Sequence, residues 1–445
     1  MRRFFRTACL FGLKLGCLLA LSAEAGAQPT ITARWSAEFA DSVGVNTHFI
    51  YADTAYALRF DEIKARLVDL GVRHIRDGAY ADHNKVVAEH VERFRQLGRA
   101  GIRGAFIFDP GVSRQFVQAF PAHVAPAFEA YELPNEYNLN GGPDWAAKLR
   151  NWMGLFHGYV HSSADTAAFP IIGPSLVLGS PDPFTIMGNR QNEFDFGNEH
   201  IYFAGRHPGT RGWGDLAPKP CQAFNYGSID YTACLAARLN GNRPVMVTET
   251  GWSTVPGEPS GVPPVVQARY IPRILLLQFN RGVRRTYIYQ LVDAGGDEGH
   301  HHGLLTAEGK EKPAFHALRS LLQLSADKGG TGSAGSLAAR IEGQTAHVEK
   351  TLLRRSDGSY RLLLWVEQPS FDPTAKDLSR AMMTVAPQPV TVTLTGRGTV
   401  RGLLRLQDNG NFTTERLAAT KVGQETRVQL DVTDNLAVLD IALSD

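Results

Sequence analysis

Two glutamates stand where a pair of carboxyl groups could act together on one bond. Glu136 directly follows Asn135 in the run ELPNEYN, and Glu249 follows the apolar run PVMVT. A protonated and an ionised carboxyl group together supply a general acid and either a nucleophile or a general base. Cleavage of a glycosidic bond requires this combination. For each glutamate the alternative is a solvated surface carboxylate, although an unpaired Glu249 at the end of an apolar strand would be costly.

Other polar and aromatic residues also follow short apolar segments. Strand-like runs end near His48, Arg76 and Glu132, and later ones carry His200 with Tyr202 and lead into Trp252 and Tyr289. Two of these have structural alternatives: Arg76 could pair with its neighbour Asp77, and His200 could be a hydrogen-bonded core histidine. In a barrel of parallel strands these positions would converge at one face.

The chain alternates apolar strands with helical stretches in a way that favours such a barrel. Between most of the expected strands lie amphipathic or long connecting segments, and a final helix is expected near residues 313–324. Eight repeats of strand then helix predict an α/β fold of the (β/α)8 type, with an open doubly wound sheet as the rival. The expected strands are Val43–Val45, Val72–Arg76, Ile102–Phe108, Ala127–Leu133, Pro170–Gly173, Glu199–Phe203, Val245–Thr248 and Thr286–Gln290.

Length and composition predict two domains. The chain has 445 residues, 43% of them hydrophobic and 20% charged, which is typical of a globular protein too long for a single core. We expect the barrel over residues 28–325 and a Gly/Ser-rich linker over 326–340. Residues 341–445 alternate short strands with turn signals, so we expect a smaller C-terminal all-β sandwich there.

The first 27 residues resemble a bacterial secretory signal peptide. A basic start precedes a short apolar run and the small-residue site Ala25-Gly26-Ala27, and the run is too short for the alternative of a membrane anchor. Removing the segment changes the net charge from +2 to −1, which disfavours charge-driven binding to nucleic acid or membrane. Only Cys221 and Cys234 remain, and in an oxidising compartment such as the periplasm or the exterior we expect them to form a disulfide.

Asn135-Glu136 after strand four, Arg76 after strand two and Glu249-Thr-Gly-Trp252 after strand seven together resemble the retaining glycoside hydrolases of clan A. The resemblance covers residues 41–324 and implies that Glu136 is the acid/base and Glu249 the nucleophile. It also implies that Asn135 binds the sugar 2-hydroxyl and that Arg76 keeps the nucleophile ionised.

The resemblance extends to strand six and breaks at strand eight. His200 and Tyr202 match the His-x-Tyr pattern of clan A, whose tyrosine touches the nucleophile. Where many members place a tryptophan under the sugar, this chain offers Tyr289 or Trp252 instead, and His48 is a further substrate-binding candidate.

The expected activity is hydrolysis of β-glycosidic bonds in a polysaccharide by double displacement, in an endo-type cleft, with neither a metal nor another cofactor. Alternatives are an exo-glycosidase or a transglycosidase with the same residues, or an inactive carbohydrate-binding barrel.

Overall fold

A computed structural model describes residues 29–79, 87–180, 182–217, 219–294, 301–396 and 398–443. The predicted signal peptide, residues 1–27, lies outside the described residues. Among the residues that are described, no helix is long and apolar enough to cross a membrane.

Eight parallel strands form the predicted barrel. Each strand pairs in parallel with its neighbours, and a parallel bridge from Ile172 to Phe196 links the two ends of the sheet. The (β/α)8 fold class is therefore confirmed, and the rival open sheet is wrong. The barrel strands, numbered one to eight below, are Val43–Asn46, His74–Gly78, Arg103–Ile107, Phe128–Glu132, Ile171–Ile172, Gly197–Ile201, Val245–Thr250 and Arg285–Ile288.

Helices surround these strands, and residues that favour helix ends set some of their boundaries. For example, the helix Phe60–Leu70 stops at Gly71, whose φ of 84° is a left-handed conformation that favours glycine. The longer helices are Phe60–Leu70, Ala88–Arg99, Arg114–Val124, Trp145–His161, Ile229–Asn240, Pro264–Asn280 and Pro313–Ser325. Shorter helical segments are Ser36–Asp41, Ala55–Leu58, Tyr137–Asn140, Pro183–Met187, Gln191–Glu193 and Leu378–Arg380.

The interior of the barrel is filled in layers. One apolar layer includes Ala130, Met246 and Tyr287, and a Cβ on Gly44 would lie 2.4 Å from the Tyr287 ring, so only glycine fits beside it. Two residues further along strands four and seven, the buried polar side chains of Glu132 and Thr248 begin the next layer. The barrel floor is thus closed by packing, and polar groups gather toward the carboxyl ends of the strands.

The β domain is a two-sheet sandwich whose inner faces share one apolar core. The strand Glu425–Val432 shows the pattern that forms it, because buried and non-buried residues alternate along its length. One sheet contains Thr30–Thr32, Ser336–Gly343, Gln388–Thr395, Glu425–Val432 and Ala419–Val422. The other contains Phe412–Glu415, Gly398–Leu406, Ala437–Leu443, Tyr360–Val366, Val348–Arg354 and Arg34–Trp35.

The boundaries of the sandwich differ from those expected at two places. Thr30–Thr32 and Arg34–Trp35, which we assigned to the barrel, pair with strands of the sandwich, and Ser336–Gly343 begins inside the range assigned to the linker. The two N-terminal strands are too short to show an alternating pattern, and their partners lie some 300 residues away in the chain. The predicted disulfide between Cys221 and Cys234 is present.

A buried ion pair joins the two domains. Arg273, on the barrel helix Pro264–Asn280, is fully buried and donates through Nε to Glu367 of the β domain at 3.0 Å. Glu367 also accepts from His207 Nδ1 at 2.8 Å and from the Gly209 N–H at 3.1 Å, both in the loop after strand six. The β domain is therefore fastened to a loop at the carboxyl-terminal face of the barrel.

We predict that Glu367→Gln lowers the free energy of unfolding by about 3–5 kcal/mol, because it leaves the buried Arg273 without a carboxylate partner. Urea unfolding followed by circular dichroism measures this loss. The control is Glu425→Gln, which removes an exposed pairing with Arg340 and Arg427 and should change stability little. Equal urea midpoints for the two variants would contradict the prediction.

Candidate active site

The strand ends bring the two candidate carboxyl groups together. Glu136 and Glu249, with His200, place one side-chain ligand atom each within 4.8 Å of one another. Both glutamates line a cleft of about 740 Å³ at the carboxyl ends of strands one to four, seven and eight. The cleft also contains Asn135, Arg76, His48 and Tyr289, so most of the predicted site residues lie around one space.

Glu136 is held in an uncommon backbone conformation. Its φ is 46°, in the left-handed region, and its N–H donates to the Ser175 carbonyl oxygen at 3.1 Å. Non-glycine residues adopt this conformation at a cost of about 1–3 kcal/mol, and such residues concentrate at functional sites. The turn directs Glu136 toward His200 rather than leaving it as a solvated loop carboxylate.

Arg76 connects most of the site, and all five of its N–H groups have acceptors. Nε donates to Glu132 Oε2 at 2.9 Å, and Nη2 donates to Glu132 Oε1 at 2.8 Å and Asn135 Oδ1 at 2.7 Å. Nη1 donates to Glu249 Oε1 at 2.7 Å and to Asn46 Oδ1 at 3.0 Å. Burial disfavours the charge of Arg76, but the carboxylates of Glu132 and Glu249 raise its pKa above the ordinary value.

The alternative pairing of Arg76 with Asp77 does not occur. Asp77 instead accepts from the Thr47 hydroxyl at 2.7 Å and the Phe49 N–H at 2.8 Å. Burial raises the pKa of Asp77 to about 7, although these hydrogen bonds oppose the rise. Asp77 therefore anchors the loop after strand one, which carries His48.

Glu249 is surrounded by groups that stabilise its ionised form. Tyr202 donates its hydroxyl to Oε2 at 2.8 Å, while Arg76 occupies Oε1. Burial favours the neutral acid, but His200, Arg76 and Tyr202 together lower the pKa of Glu249 below its ordinary value. The predicted contacts of Arg76 and Tyr202 with this carboxylate are thus present.

The hydrogen bonds around His200 determine which of its nitrogens carries a proton. Asn198 donates through Nδ2 to Glu132 and to the Gly173 carbonyl, so its Oδ1 is the acceptor for the Thr248 hydroxyl at 2.7 Å. The Thr248 oxygen must then accept from His200 Nε2 at 3.0 Å. A neutral His200 consequently has a bare Nδ1.

That bare nitrogen faces Glu136. His200 Nδ1 lies 2.8 Å from Glu136 Oε1, a contact that needs one proton between the two atoms. The proton belongs either to a Glu136 acid or to a His200 imidazolium, so the two side chains share one hydrogen bond. His200 is therefore both the buried, hydrogen-bonded histidine of the structural alternative and a direct partner of Glu136.

Asn135 and the aromatic candidates differ in what they can offer. Asn135 Oδ1 accepts from Arg76, and within the described residues nothing takes its Nδ2 group, which can donate into the cleft. Burial lowers the pKa of His48 to about 4, so its imidazole is neutral at ordinary pH. The ring centroids of His48 and Tyr289 are 5.9 Å apart, and both residues line the cleft.

Trp252 does not lie in the cleft, contrary to expectation. Its side chain is fully buried, stacks on Phe203 with centroids 5.4 Å apart, and donates through Nε1 to the Arg206 carbonyl at 2.9 Å. The ring packs under the loop after strand six because that loop and the helix Pro264–Asn280 both cover it. Of the two predicted aromatic candidates, Tyr289 is the one that lines the cleft.

Several site residues were given no role by sequence reasoning. Glu132, Asn46, Asn198 and Thr248 are buried and connect Arg76 and His200 to the strands. The sequence held one signal for Glu132. Side chains alternate between the two faces of a strand, so Glu132, two residues after the inward-pointing Ala130, also points into the barrel.

Glu136, His200 and Glu249 also form a group that could hold a metal ion by distance alone. Both oxygens of Glu249 already accept from Arg76 and Tyr202, and an arginine cation 2.7 Å from a ligand oxygen opposes a second cation there. The donor set therefore fits a hydrogen-bonded acid–base pair better than a metal centre.

No protein-family model and no curated protein matches the chain. In structure it is similar to a family 39 glycoside hydrolase from the gut symbiont Bacteroides cellulosilyticus WH2, at 16% identity and a TM-score of 0.53, over 91% of this chain and 82% of that one. It is also similar to the GH51 arabinofuranosidase from Xanthomonas axonopodis pv. citri, at 13% identity and a TM-score of 0.54, over 93% and 97% of the two chains. A third neighbour is the family 30 subfamily 8 xylanase of Clostridium acetobutylicum, at 11% identity and a TM-score of 0.50, over 94% and 98%.

These structural neighbours are glycoside hydrolases, and at such low identity the likeness establishes the shared fold. The (β/α)8 barrel with an attached β domain is thus an architecture that this chain has in common with them.

We predict that Tyr202→Phe raises the pKa of Glu249, because the lost hydroxyl stabilises the ionised carboxylate. The carbon-13 chemical shift of the Glu249 carboxyl group, followed against pH, measures it. Tyr287→Phe is the matched control, since the Tyr287 hydroxyl contacts Arg285 rather than Glu249. An unchanged Glu249 titration in Tyr202→Phe would show that this hydrogen bond contributes nothing.

Proposed function

We propose that the protein is a glycoside hydrolase that cleaves β-linked polysaccharide with retention of configuration. The observation that carries the proposal is the Glu136–Glu249 pair, whose nearest oxygens lie within 4.8 Å in a cleft at the carboxyl face of the barrel. Retaining enzymes place their two carboxyl groups about 5–5.5 Å apart, whereas inverting enzymes leave about 6.5–9.5 Å for a water molecule. The short separation favours direct attack by one carboxylate.

In the first step Glu249 is the nucleophile. Hydrogen bonds from Arg76 and Tyr202 keep it ionised, and it attacks the anomeric carbon while Glu136 transfers its proton to the departing glycosidic oxygen. The C–O bond to the leaving sugar breaks as the bond to Glu249 forms, which gives a covalent glycosyl-enzyme. A neutral His200 accepts the hydrogen bond of protonated Glu136 beforehand and so keeps that acid in place.

In the second step Glu136 acts as the base. Now ionised, it takes a proton from a water molecule that attacks the anomeric carbon, and Glu249 leaves as a carboxylate. In this scheme the free Nδ2 group of Asn135 donates to the sugar 2-hydroxyl, a contact that strengthens in the transition state. No metal or organic cofactor takes part in this reaction scheme.

The substrate we propose is an uncharged polysaccharide that is cut internally. The cleft volume of about 740 Å³ is in the range of pockets that hold ligands larger than one sugar ring. The near-zero net charge disfavours binding that is driven by charge, such as binding to nucleic acid. The signal-like N-terminus and the disulfide support a secreted or periplasmic location.

A panel of polysaccharides tests the proposal, with product sizes followed over time. Internal cleavage yields a ladder of oligosaccharides early in the reaction, whereas an exo-glycosidase releases single sugars from the start. Products longer than the substrate would identify a transglycosidase. Binding without cleavage of any polysaccharide would refute the proposed hydrolysis and favour the inactive binding barrel.

We predict that Glu249→Gln abolishes turnover, because an amide cannot form the glycosyl ester. A 2-fluoro glycoside with a good leaving group should label the unmodified protein at Glu249, as mass spectrometry of the peptides would report. Normal turnover by Glu249→Gln, or a label on another residue, would overturn the assignment.

For Glu136→Ala we predict a loss of about 10²–10⁴-fold in turnover of natural substrates. The loss should be much smaller in the first step with a dinitrophenyl glycoside, because that leaving group departs without a proton. Stopped-flow release of dinitrophenolate measures this difference. Equal losses on both substrates would contradict the role of Glu136 as an acid.

A further inference from the structure

Arg76 lies between two carboxylates, and the reaction described above uses only one of them. Glu249 takes one N–H of Arg76, whereas Glu132 takes Nε and one N–H of Nη2 in a two-point contact at 2.8–3.0 Å. Glu132 is fully buried at the end of strand four. A buried carboxylate is costly unless it is paired and hydrogen-bonded, and Arg76 meets both needs of Glu132.

The other partners of Glu132 are neutral. Asn198 Nδ2 lies 3.1 Å from Oε1, and the Thr248 oxygen lies 3.3 Å from the same atom. Among the described residues, Arg76 is therefore the cation that compensates Glu132. The positive charge that Glu249 experiences is correspondingly reduced, because one guanidinium serves two carboxylates.

We propose, on the basis of the function proposed above, that Glu132 is a positioning residue that sets the basicity of the nucleophile. It fixes the plane of the Arg76 guanidinium by two-point contact and offsets part of its charge. With Arg76 paired to Glu249 alone, the nucleophile would be ionised to lower pH but would be a weaker base. Arg76 thus keeps Glu249 ionised, and Glu132 keeps it basic enough to react.

Other charged or titratable groups also act on these two carboxylates. Arg76, His200, Tyr202 and Glu136 surround Glu249, and His48 and Tyr289 lie within electrostatic reach of it. Arg76 contacts Glu132, and the buried Tyr287 lies within electrostatic reach of it. A substitution at Glu132 alters none of these side chains, so a change in the Glu249 titration reports the charge of Glu132 and its hold on Arg76.

The test is Glu132→Gln, which keeps the shape and removes the charge. Because the negative charge of Glu132 raises the pKa of Glu249, its loss should lower that pKa by about one unit. The acidic limb of the kcat/KM profile requires ionised Glu249 in the free enzyme and should move to lower pH by the same amount. We expect kcat at the pH optimum to fall, since the nucleophile is less basic, while KM changes little.

The matched control is Glu129→Gln on the same strand, whose carboxylate contacts His74 and Arg285 rather than Arg76. It should leave the acidic limb where it is. If the acidic limb of the kcat/KM profile stays at the pH of the unmodified protein in a Glu132→Gln protein that circular dichroism shows to be folded, the proposal is overturned.

If Glu132→Gln does not fold, Glu132→Asp decides the question. Because Glu132→Asp retains the negative charge, we expect its acidic limb at the same pH as in the unmodified protein, with a lower kcat. An acidic limb that moves to lower pH in this variant would count against the proposal.

The carbon-13 titration of Glu249 in the same variants separates this inference from the proposed function. If the unmodified protein cleaves no glycoside, the proposed function fails. A Glu249 pKa that falls in Glu132→Gln would still support the electrostatic part of the inference. If glycosides are cleaved and the Glu249 pKa is the same in both proteins, only the inference fails.

Discussion

The site depends on one buried cation whose every hydrogen-bond donor is used. Arg76 holds the Glu249 carboxylate, the Asn135 amide oxygen and Glu132 at the same time, and all these contacts measure 2.7–3.0 Å. A planar guanidinium permits such a set only in one orientation. Its neighbours must therefore arrive from strands one, four and seven in a single register, which a closed barrel of parallel strands provides.

The rest of the fold maintains this arrangement from outside. An apolar layer that includes Tyr287 closes the barrel below the polar side chains. Above them, Glu367 of the β domain binds the loop that follows strand six, and Trp252 holds the same loop through the Arg206 carbonyl. The β domain thus braces the part of the barrel that carries Tyr202, and through Tyr202 it helps to hold Glu249 in position.

Local patterns were sufficient for much of this architecture. Alternating strands and helices predicted the barrel, and polar residues at strand ends predicted that Arg76, His200 and Tyr202 lie at the same face as the two glutamates. The contacts of Arg76 and Tyr202 with Glu249 were implied by the resemblance to clan A. Trp252 was misplaced because the direction of a side chain after a strand depends on the loops that cover it. The strand Thr30–Thr32 and the role of Glu132 depend on partners distant in the chain, which no local pattern displays.

The central claim is that Glu249 attacks the sugar directly, and the configuration of the first product tests it most simply. Proton NMR during the first turnovers of a β-linked substrate distinguishes the two anomers before mutarotation mixes them. The short distance between Glu136 and Glu249 predicts that the β-anomer appears first, because two displacements restore the original configuration. Initial release of the α-anomer would mean that water attacks in a single step, and it would contradict the account.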